Sequence, residues 1–252
     1  MNRIKTIFDT KSKKLMPFLV AGDPSIETSE GAIVAMAEAG ADIIEIGIPF
    51  SDPIADGPVI AKAMHRALGK GVTPAHAIGM ISRVRSKVDV GLIAMVSYSI
   101  VRRSGGTACL DRFAEAGADG FIIPDIDDID AATLSAHCEA IGTSFSMLVA
   151  PTTPLCRVEQ LSNLSSGFLY ILARTGLTGE QNEMPELSTR IAEIRSVTDL
   201  PLAVGFGIST SKHVEQVHAS ADAAIVGSAL VRRMDESKDA ALAAKQFVSD
   251  IS

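Results

Sequence analysis

Eight short apolar runs alternate with segments of helical period, and this alternation constrains the fold more than any other feature of the chain. Runs of this kind, bounded by turn-forming residues, predict buried strands. The predicted strands are 15–21, 43–47, 90–95, 119–123, 145–149, 167–172, 200–205 and 222–227. The predicted helices are 2–12, 27–39, 74–87, 107–117, 130–141, 157–164, 187–196, 210–219 and 238–250.

Strands that alternate with helices pair in parallel through right-handed crossovers, and eight such units predict a single (β/α)8 TIM barrel of the α/β class. The first segment adds an extra N-terminal helix. An open doubly wound sheet is the alternative, but no GxGxxG follows the first strand, which argues against its dinucleotide-binding form. No low-complexity stretch or linker divides the chain, so residues 1–252 are expected to form one domain.

Composition argues against several classes of partner. The net charge is −7, and the short lysine cluster at 11–14 is too small to indicate nucleic-acid binding. No apolar span approaches the ~18 residues of a membrane helix, and the N-terminus lacks the apolar core of a secretory signal. Three widely spaced cysteines predict free thiols in a reducing cytoplasm, with Cys109 and Cys138 buried in helices and Cys156 as the third.

Three helix-to-strand joints repeat one motif, with AEAGAD at 37–42 and 114–119 and HASAD at 218–222. Each joint ends a helix with a small residue and enters a strand through an aspartate. In a barrel these joints lie at the bottom face, where they are expected to support stability, while the chemistry lies at the opposite strand ends.

The stretch from Ile43 to Pro58 contains the first candidate catalytic residues. Glu45 lies inside an apolar strand, where a carboxylate has no reason to sit unless it is paired or used. The following segment, with Asp52 and Asp56, is predicted to be a loop because its glycines and prolines prevent a strand or helix from continuing. These carboxylates suit general acid/base work. The alternative is that Glu45 forms a salt bridge and the two aspartates only shape turns.

Other strand ends carry features that suit a phosphate. Gly205 to Ser209 and Gly227 with Ser228 each precede a helix after the seventh and eighth strands, the usual phosphate site of such barrels. The loop 173–185, with Arg174, is a candidate lid, and its Gly179 would complete a three-part cradle. Ordinary tight turns and a disordered loop are the alternatives. After the first strand, Asp23 predicts a helix cap.

Residue types that are missing from the strands and strand ends exclude further classes of reaction. No predicted strand carries a lysine, which argues against an imine-forming aldolase. The five histidines fall away from the strand ends and form no HExxH, which argues against a metal-dependent aldolase. We therefore expect an acid/base reaction on a phosphorylated small molecule, with no cofactor and no metal.

Five stretches together resemble the tryptophan synthase α-subunit family: PFLVAGDP (17–24), EIGIPFSDPIADGP (45–58), ILARTGLTGEQN (171–182), GFGIS (205–209) and GSALV (227–231). The resemblance implies a barrel lyase that cleaves indole-3-glycerol phosphate to indole and glyceraldehyde 3-phosphate in tryptophan biosynthesis. It also implies a β-subunit partner that receives the indole through a tunnel, in an α2β2 tetramer.

The resemblance also implies roles for individual residues. Glu45 matches the family's acid/base glutamate, and Asp56 matches the aspartate near the indole nitrogen. Tyr170 and Phe18 match residues beside the indole. The phosphate contacts match Gly179, Phe206, Gly207, Gly227 and Ser228, and the mobile sixth loop matches Arg174 and Thr178.

Two stretches depart from the family pattern. The third strand is followed by 96–100, VSYSI, where the family often reads close to TYYNP, so Ser97, Ser99 and Ile100 alter a surface used towards the partner. The fourth strand is followed by PDID, 124–127, instead of PDLP. The alternatives left open are a stand-alone lyase, a non-catalytic barrel that activates a partner subunit, and another phosphate-binding barrel enzyme, such as an isomerase of the same pathway.

Overall fold

The computed structural model describes residues 2–53, 56–173, 187–205 and 207–252, and its parallel strands form one barrel. The strands are β1 Lys14–Val20, β2 Ile43–Gly47, β3 Gly91–Met95, β4 Gly120–Ile122, β5 Ser144–Ser146, β6 Leu148–Val149, β7 Leu169–Leu172, β8 Leu202–Gly205 and β9 Ala223–Val226. They pair in the order β5-β4-β3-β2-β1-β9-β8-β7-β6. Only Met147 separates β5 from β6, so these halves of one strand close the barrel. The predicted (β/α)8 fold is confirmed.

Helices surround this barrel. They are α1 Arg3–Phe8, α2 Ile26–Glu38, α3 Pro58–Gly69, α4 Pro74–Arg85, α5 Tyr98–Arg103, α6 Thr107–Glu115, α7 Asp128–Ala140, α8 Leu155–Asn163, α9 Ser188–Arg195, α10 Ser211–His218, α11 Ser228–Asp235 and α12 Ala240–Ile251. The extra N-terminal helix is α1. Its Ile4 is fully buried and packs with Ile43 and Phe168 inside the barrel, so α1 plugs the bottom. No helix within the described ranges is long and apolar enough to cross a membrane.

Two of these helices, α3 and α5, lie in segments for which the sequence analysis predicts no helix. Pro58 was expected to stop regular structure, yet it is the first residue of α3, where a fixed φ and a missing N–H favour helix initiation. After β3, the Ser97 hydroxyl accepts a hydrogen bond from the N–H of Ser99 and so caps α5. Proline ends an existing helix but starts a new one, and the sequence pattern alone did not separate the two cases.

The cap of α2 is also corrected. The N-cap is Ser25, whose hydroxyl accepts a hydrogen bond from the N–H of Thr28. The carboxylate of Asp23 is instead paired with the guanidinium of Arg66 on α3. The expected cap at Asp23 is therefore wrong, because a long-range ion pair holds that carboxylate.

The repeated joints form a common hydrogen-bond pattern at the bottom of the barrel. Each aspartate donates its N–H to a carbonyl on the neighbouring strand, and its carboxylate accepts the N–H of that same residue. The pairs are Asp42–Leu15, Asp119–Leu92 and Asp222–Leu202, with carboxylate distances of 2.8, 2.9 and 2.8 Å. Ser166 repeats the pattern with Phe145 through its hydroxyl, at 3.1 Å. The pattern thus sets the register between four pairs of neighbouring strands.

The expectation that no strand carries a lysine is wrong for β1, which begins at Lys14. Lys14 is almost fully buried, and its ammonium donates to the hydroxyls of Thr10 and Ser12. It lies at the N-terminal end of its strand, away from the face where the site lies. Two of the cysteines, Cys109 and Cys138, are buried as predicted, and the three are free thiols.

Candidate active site

One cavity opens at the C-terminal ends of the strands and gathers seven of the candidate site residues named from the sequence. These are Phe18, Asp52, Asp56, Tyr170, Gly207, Gly227 and Ser228. Glu45 lies next to this cavity, while Arg174, Thr178, Gly179 and Phe206 lie outside the described residues. The described acid groups and glycine turns thus lie at the same face of the barrel.

Glu45 points into the barrel from the middle of β2. Its neighbours Ile44 and Ile46 pack outwards against the helices, and the register pairs Glu45 with Phe18 on β1 and Ile93 on β3. The side chain is fully buried, and among the described residues neither carboxylate oxygen has a hydrogen-bond partner. No described cation forms the salt bridge that was the alternative. Burial alone raises the pKa of Glu45 from an ordinary 4.5 to about 8, because a carboxylate without water or a counter-charge is costly.

Asp56 has a different setting although it also carries a carboxyl group. It lies two residues before α3, is half-buried and lines the cavity directly. Burial raises its pKa from an ordinary 3.8 to about 6. Near pH 7 the two groups therefore hold opposite states, with Glu45 mostly protonated and Asp56 mostly ionised. Separated pKa values of this kind assign one carboxyl as an acid and the other as a negative charge.

Two aromatic residues shape the apolar part of the cavity. Tyr170 is buried beside both acids, and its pKa is raised well above 10.0 by burial and, further, by the charges of Glu45 and Asp56. Gly47 and Gly205 leave space for the rings. A Cβ at Gly47 would lie 2.5 Å from Cζ of Phe18, and one at Gly205 would lie 2.5 Å from the hydroxyl of Tyr170. Both rings can approach the strand ends only because these positions lack side chains.

The glycine turns also line the cavity. Gly207, after β8, has a φ of 88°, in the left-handed region that favours glycine. Gly227 is the N-cap of α11, and Ser228 is the first residue of that helix and is buried. Exposed backbone N–H groups at a helix N-terminus attract an anion, so this side of the cavity suits a phosphate.

Comparisons with known proteins agree with this arrangement. The family model described as tryptophan synthase alpha chain matches residues 4–250. The tryptophan synthase alpha chain of Rhodopirellula baltica is 40% identical over 249 residues, covering 96% of this chain and 90% of its own. That of Methanosarcina acetivorans is 43% identical over 239 residues, covering 93% and 87%. The chain belongs to the tryptophan synthase alpha chain family.

Solved structures of this family have the same fold. The tryptophan synthase subunit alpha from Legionella pneumophila superposes with a TM-score of 0.91 at 32% identity, covering 100% of this chain and 97% of its own. A chain of Mycobacterium tuberculosis tryptophan synthase superposes with a TM-score of 0.91 at 30% identity, covering 99% and 96%. The predicted enzyme class, a lyase of tryptophan biosynthesis, is confirmed by this membership. The family's name, tryptophan synthase alpha chain, agrees with the predicted beta-subunit partner.

The cavity is also lined by residues to which the sequence analysis gave no catalytic or binding role. Ile60 and Met64 line it from α3, a helix that was not predicted. Ser97 and Asp125 line its rim, where the Ser97 hydroxyl and the N–H of Tyr98 donate to the Asp125 carboxylate at 2.8 and 2.7 Å. The i, i+4 spacing of Ile60 and Met64 is the sequence signal for this helix, and Pro58 obscures it because proline is also typical of a loop.

Proposed function

We propose that this chain cleaves indole-3-glycerol phosphate to indole and glyceraldehyde 3-phosphate, with Glu45 as the general acid and base. The observation that carries the proposal is the buried Glu45 carboxyl, which has no partner among the described residues and a pKa of about 8, next to a cavity that holds Asp56. An unpaired buried acid of this kind is costly for folding, and active sites are where such groups are retained.

Glu45 would transfer two protons in turn, donating one and then accepting another. The protonated carboxyl first donates a proton to C3 of the indole ring, which leaves the ring cationic at nitrogen. The resulting carboxylate then takes the proton of the adjacent glycerol hydroxyl while the carbon–carbon bond breaks. The bonding electrons return to the ring to give neutral indole, the hydroxyl carbon becomes the aldehyde, and Glu45 is protonated again. Because its carboxyl is covered by neighbouring side chains, Glu45 must turn towards the cavity to reach the substrate.

Asp56 would stabilise the charge that appears between these two proton transfers. Its carboxylate is ionised near pH 7 and lines the cavity, so it can accept a hydrogen bond from the indole N–H as the ring becomes cationic. An interaction that strengthens as charge develops lowers the barrier more than it improves substrate binding. Phe18 and Tyr170 would hold the indole ring between apolar surfaces, with Tyr170 close to both carboxyls.

The phosphate would bind across the cavity from the acids. Gly207, Gly227 and Ser228 present backbone at the N-terminus of α11, where the helix dipole favours an anion. Gly179 and Phe206 are proposed as further phosphate contacts, and Arg174 and Thr178 as parts of a closing loop, on the resemblance alone. No metal or cofactor is needed for this proton-transfer sequence.

A turnover assay tests the proposal directly. Purified protein should release glyceraldehyde 3-phosphate from indole-3-glycerol phosphate, and the rate should be highest between about pH 6 and about pH 8 because Asp56 must be ionised and Glu45 protonated. Glu45→Gln should reduce turnover by ~10²–10⁴-fold while substrate still binds. A chain that binds the substrate without cleaving it, alone or with its beta subunit, would instead be a non-catalytic barrel.

The quaternary arrangement and setting complete the proposal. We propose an α2β2 tetramer in the cytoplasm, with residues 1–252 as one domain. The altered segment 96–100 would weaken binding to a beta subunit adapted to the usual family sequence, while the cognate subunit still binds. Titration calorimetry with the cognate beta subunit and with one adapted to the usual family sequence tests this difference in affinity. Equal affinities would show that the altered segment 96–100 does not affect binding.

A further inference from the structure

A single guanidinium joins three elements around the candidate site. Arg66, near the end of α3, binds both carboxylate oxygens of Asp23 in the loop after β1, with Nε and Nη2 distances of 2.8 and 2.6 Å. It also binds the carboxylate of Asp235, the last residue of α11, at 3.3 and 3.2 Å. Asp23 is only 7% exposed, so its carboxylate is held out of solvent while Arg66 is partly exposed.

Two of these elements carry opposite ends of the substrate site. Asp56 is two residues before the start of α3, and Ser228 is the first residue of α11. The near ends of the two helices meet at the cavity, where the side chain of Ile60 lies against Gly227. Arg66 joins the far ends of the two helices. It lies ~12 Å along α3 from Pro58, the first residue of that helix, at a rise of about 1.5 Å per residue.

Apart from Arg66, the described contact between α3 and α11 consists of one longer ion pair, Lys62 Nζ to Asp235 Oδ2 at 3.9 Å, and apolar side chains. Ile60, Ala63, Met64 and Ala67 of α3 form one cluster with Phe18 of β1 and Val231 of α11. Apolar surfaces pack closely but allow small slides, because their attraction has no direction. A bidentate arginine–carboxylate pair, in contrast, holds one geometry. The ion pairs of Arg66 are shorter than the exposed Lys62–Asp235 pair, and they therefore supply the main directional restraint at this interface.

We infer that Arg66 is a positioning residue for the reaction, which sets the distance between Asp56 and the phosphate-binding turn at Ser228. It touches no reacting atom and acts through α3 and α11. The inference rests on the proposed function, since Asp56 and Ser228 must contact the two ends of one substrate. Loss of this restraint should misplace the carboxylate relative to a substrate anchored by its phosphate, while each end of the site stays intact.

The test separates turnover from phosphate binding. For Arg66→Met we expect kcat to fall by ~10–100-fold, the scale of a misplacement near 1 Å. The inhibition constant of glycerol phosphate, which occupies the phosphate end alone, should stay unchanged. Asp235→Asn, which keeps the Asp23 pair, should give a smaller loss of kcat. Arg83→Met is the matched control, because the Arg83–Glu30 pair joins α4 and α2, and neither helix contributes to the described cavity.

The outcomes are distinguishable. If Arg66→Met does not fold, Asp235→Asn alone decides, since Asp235 is partly exposed and its loss leaves the buried pair in place. The inference would be wrong if the folded Arg66 and Asp235 variants had the same kcat as Arg83→Met. It would also be wrong if kcat and the affinity for glycerol phosphate fell equally. A wild-type chain without cleavage activity would overturn the proposed function and this inference with it, whereas an active wild type with unaffected variants would overturn the inference alone.

Discussion

Replacing Glu45 with glutamine should make the folded protein less sensitive to alkaline pH. The carboxyl is fully buried among apolar side chains, and neither oxygen has a partner within the described chain. Glutamine has nearly the same shape as the protonated acid but does not ionise. The substitution therefore removes the cost of a buried charge while it leaves the packing in place, and the effect on stability should depend on pH.

The magnitude follows from the two pKa values. In the unfolded chain Glu45 ionises near 4.5, and in the folded protein near 8. Between these values the folded state binds more protons, so the free energy of unfolding falls as pH rises, by up to ~1.4 kcal/mol per pH unit. Below pH 4.5 both states are protonated and the cost is absent. From pH 5 to pH 7.5 wild type should lose about 3 kcal/mol relative to Glu45→Gln, against a typical total stability of about 5–15 kcal/mol.

Urea unfolding at pH 5.0, 6.0 and 7.5 measures this difference. The free energies of the two proteins should be close at pH 5.0 and diverge steadily, with Glu45→Gln the more stable at pH 7.5. Glu115→Gln, at an exposed position of α6, reports the effect of the same chemical change outside the barrel. Parallel profiles for wild type and Glu45→Gln would refute the reasoning, because Glu45 would then ionise as easily in the folded protein as in the unfolded chain.

Three further predictions concern the rest of the site and its scaffold. Asp56→Asn should fold normally and lose about 3–4 kcal/mol of transition-state stabilisation, and its rate should not fall as the pH drops through about 6, as the wild-type rate does. An unfolded variant, detected by circular dichroism, would instead indicate that Asp56 shapes a turn. Gly207→Val should raise KM more than it lowers kcat, because a branched residue at a φ of 88° distorts the turn proposed for phosphate, and an unchanged KM would remove that turn from the binding site. Asp119→Ala should cost about 2 kcal/mol in urea unfolding, since the Leu92 N–H and the Arg85 guanidinium lose their acceptor, without changing turnover; a stability like that of wild type would contradict the structural role of the joint.

The local pattern of the sequence was sufficient for the strands and for the acid in β2. Parallel strands buried on both faces must be apolar along their length, so each strand was visible as a short run, and Glu45 was conspicuous inside one of them. The glycine at 207 was likewise readable, because few other residues adopt the left-handed backbone that it has in the turn after β8. The sequence also marked three of the four joints that set the register, but it missed Ser166, where a hydroxyl replaces the carboxylate.

The tertiary structure alone decided how distant parts of the chain are placed relative to one another. A carboxyl group is buried and neutral at Glu45, ionised and beside the cavity at Asp56, and paired with Arg66 at Asp23. The expected cap at Asp23 was wrong because of this ion pair. Each outcome depends on which side chains from other strands and helices surround the group, because desolvation and charge pairing act through space over a few ångströms. Local sequence determines backbone propensity and the face that each residue occupies, whereas the protonation state of an acid is set by the packed assembly around it.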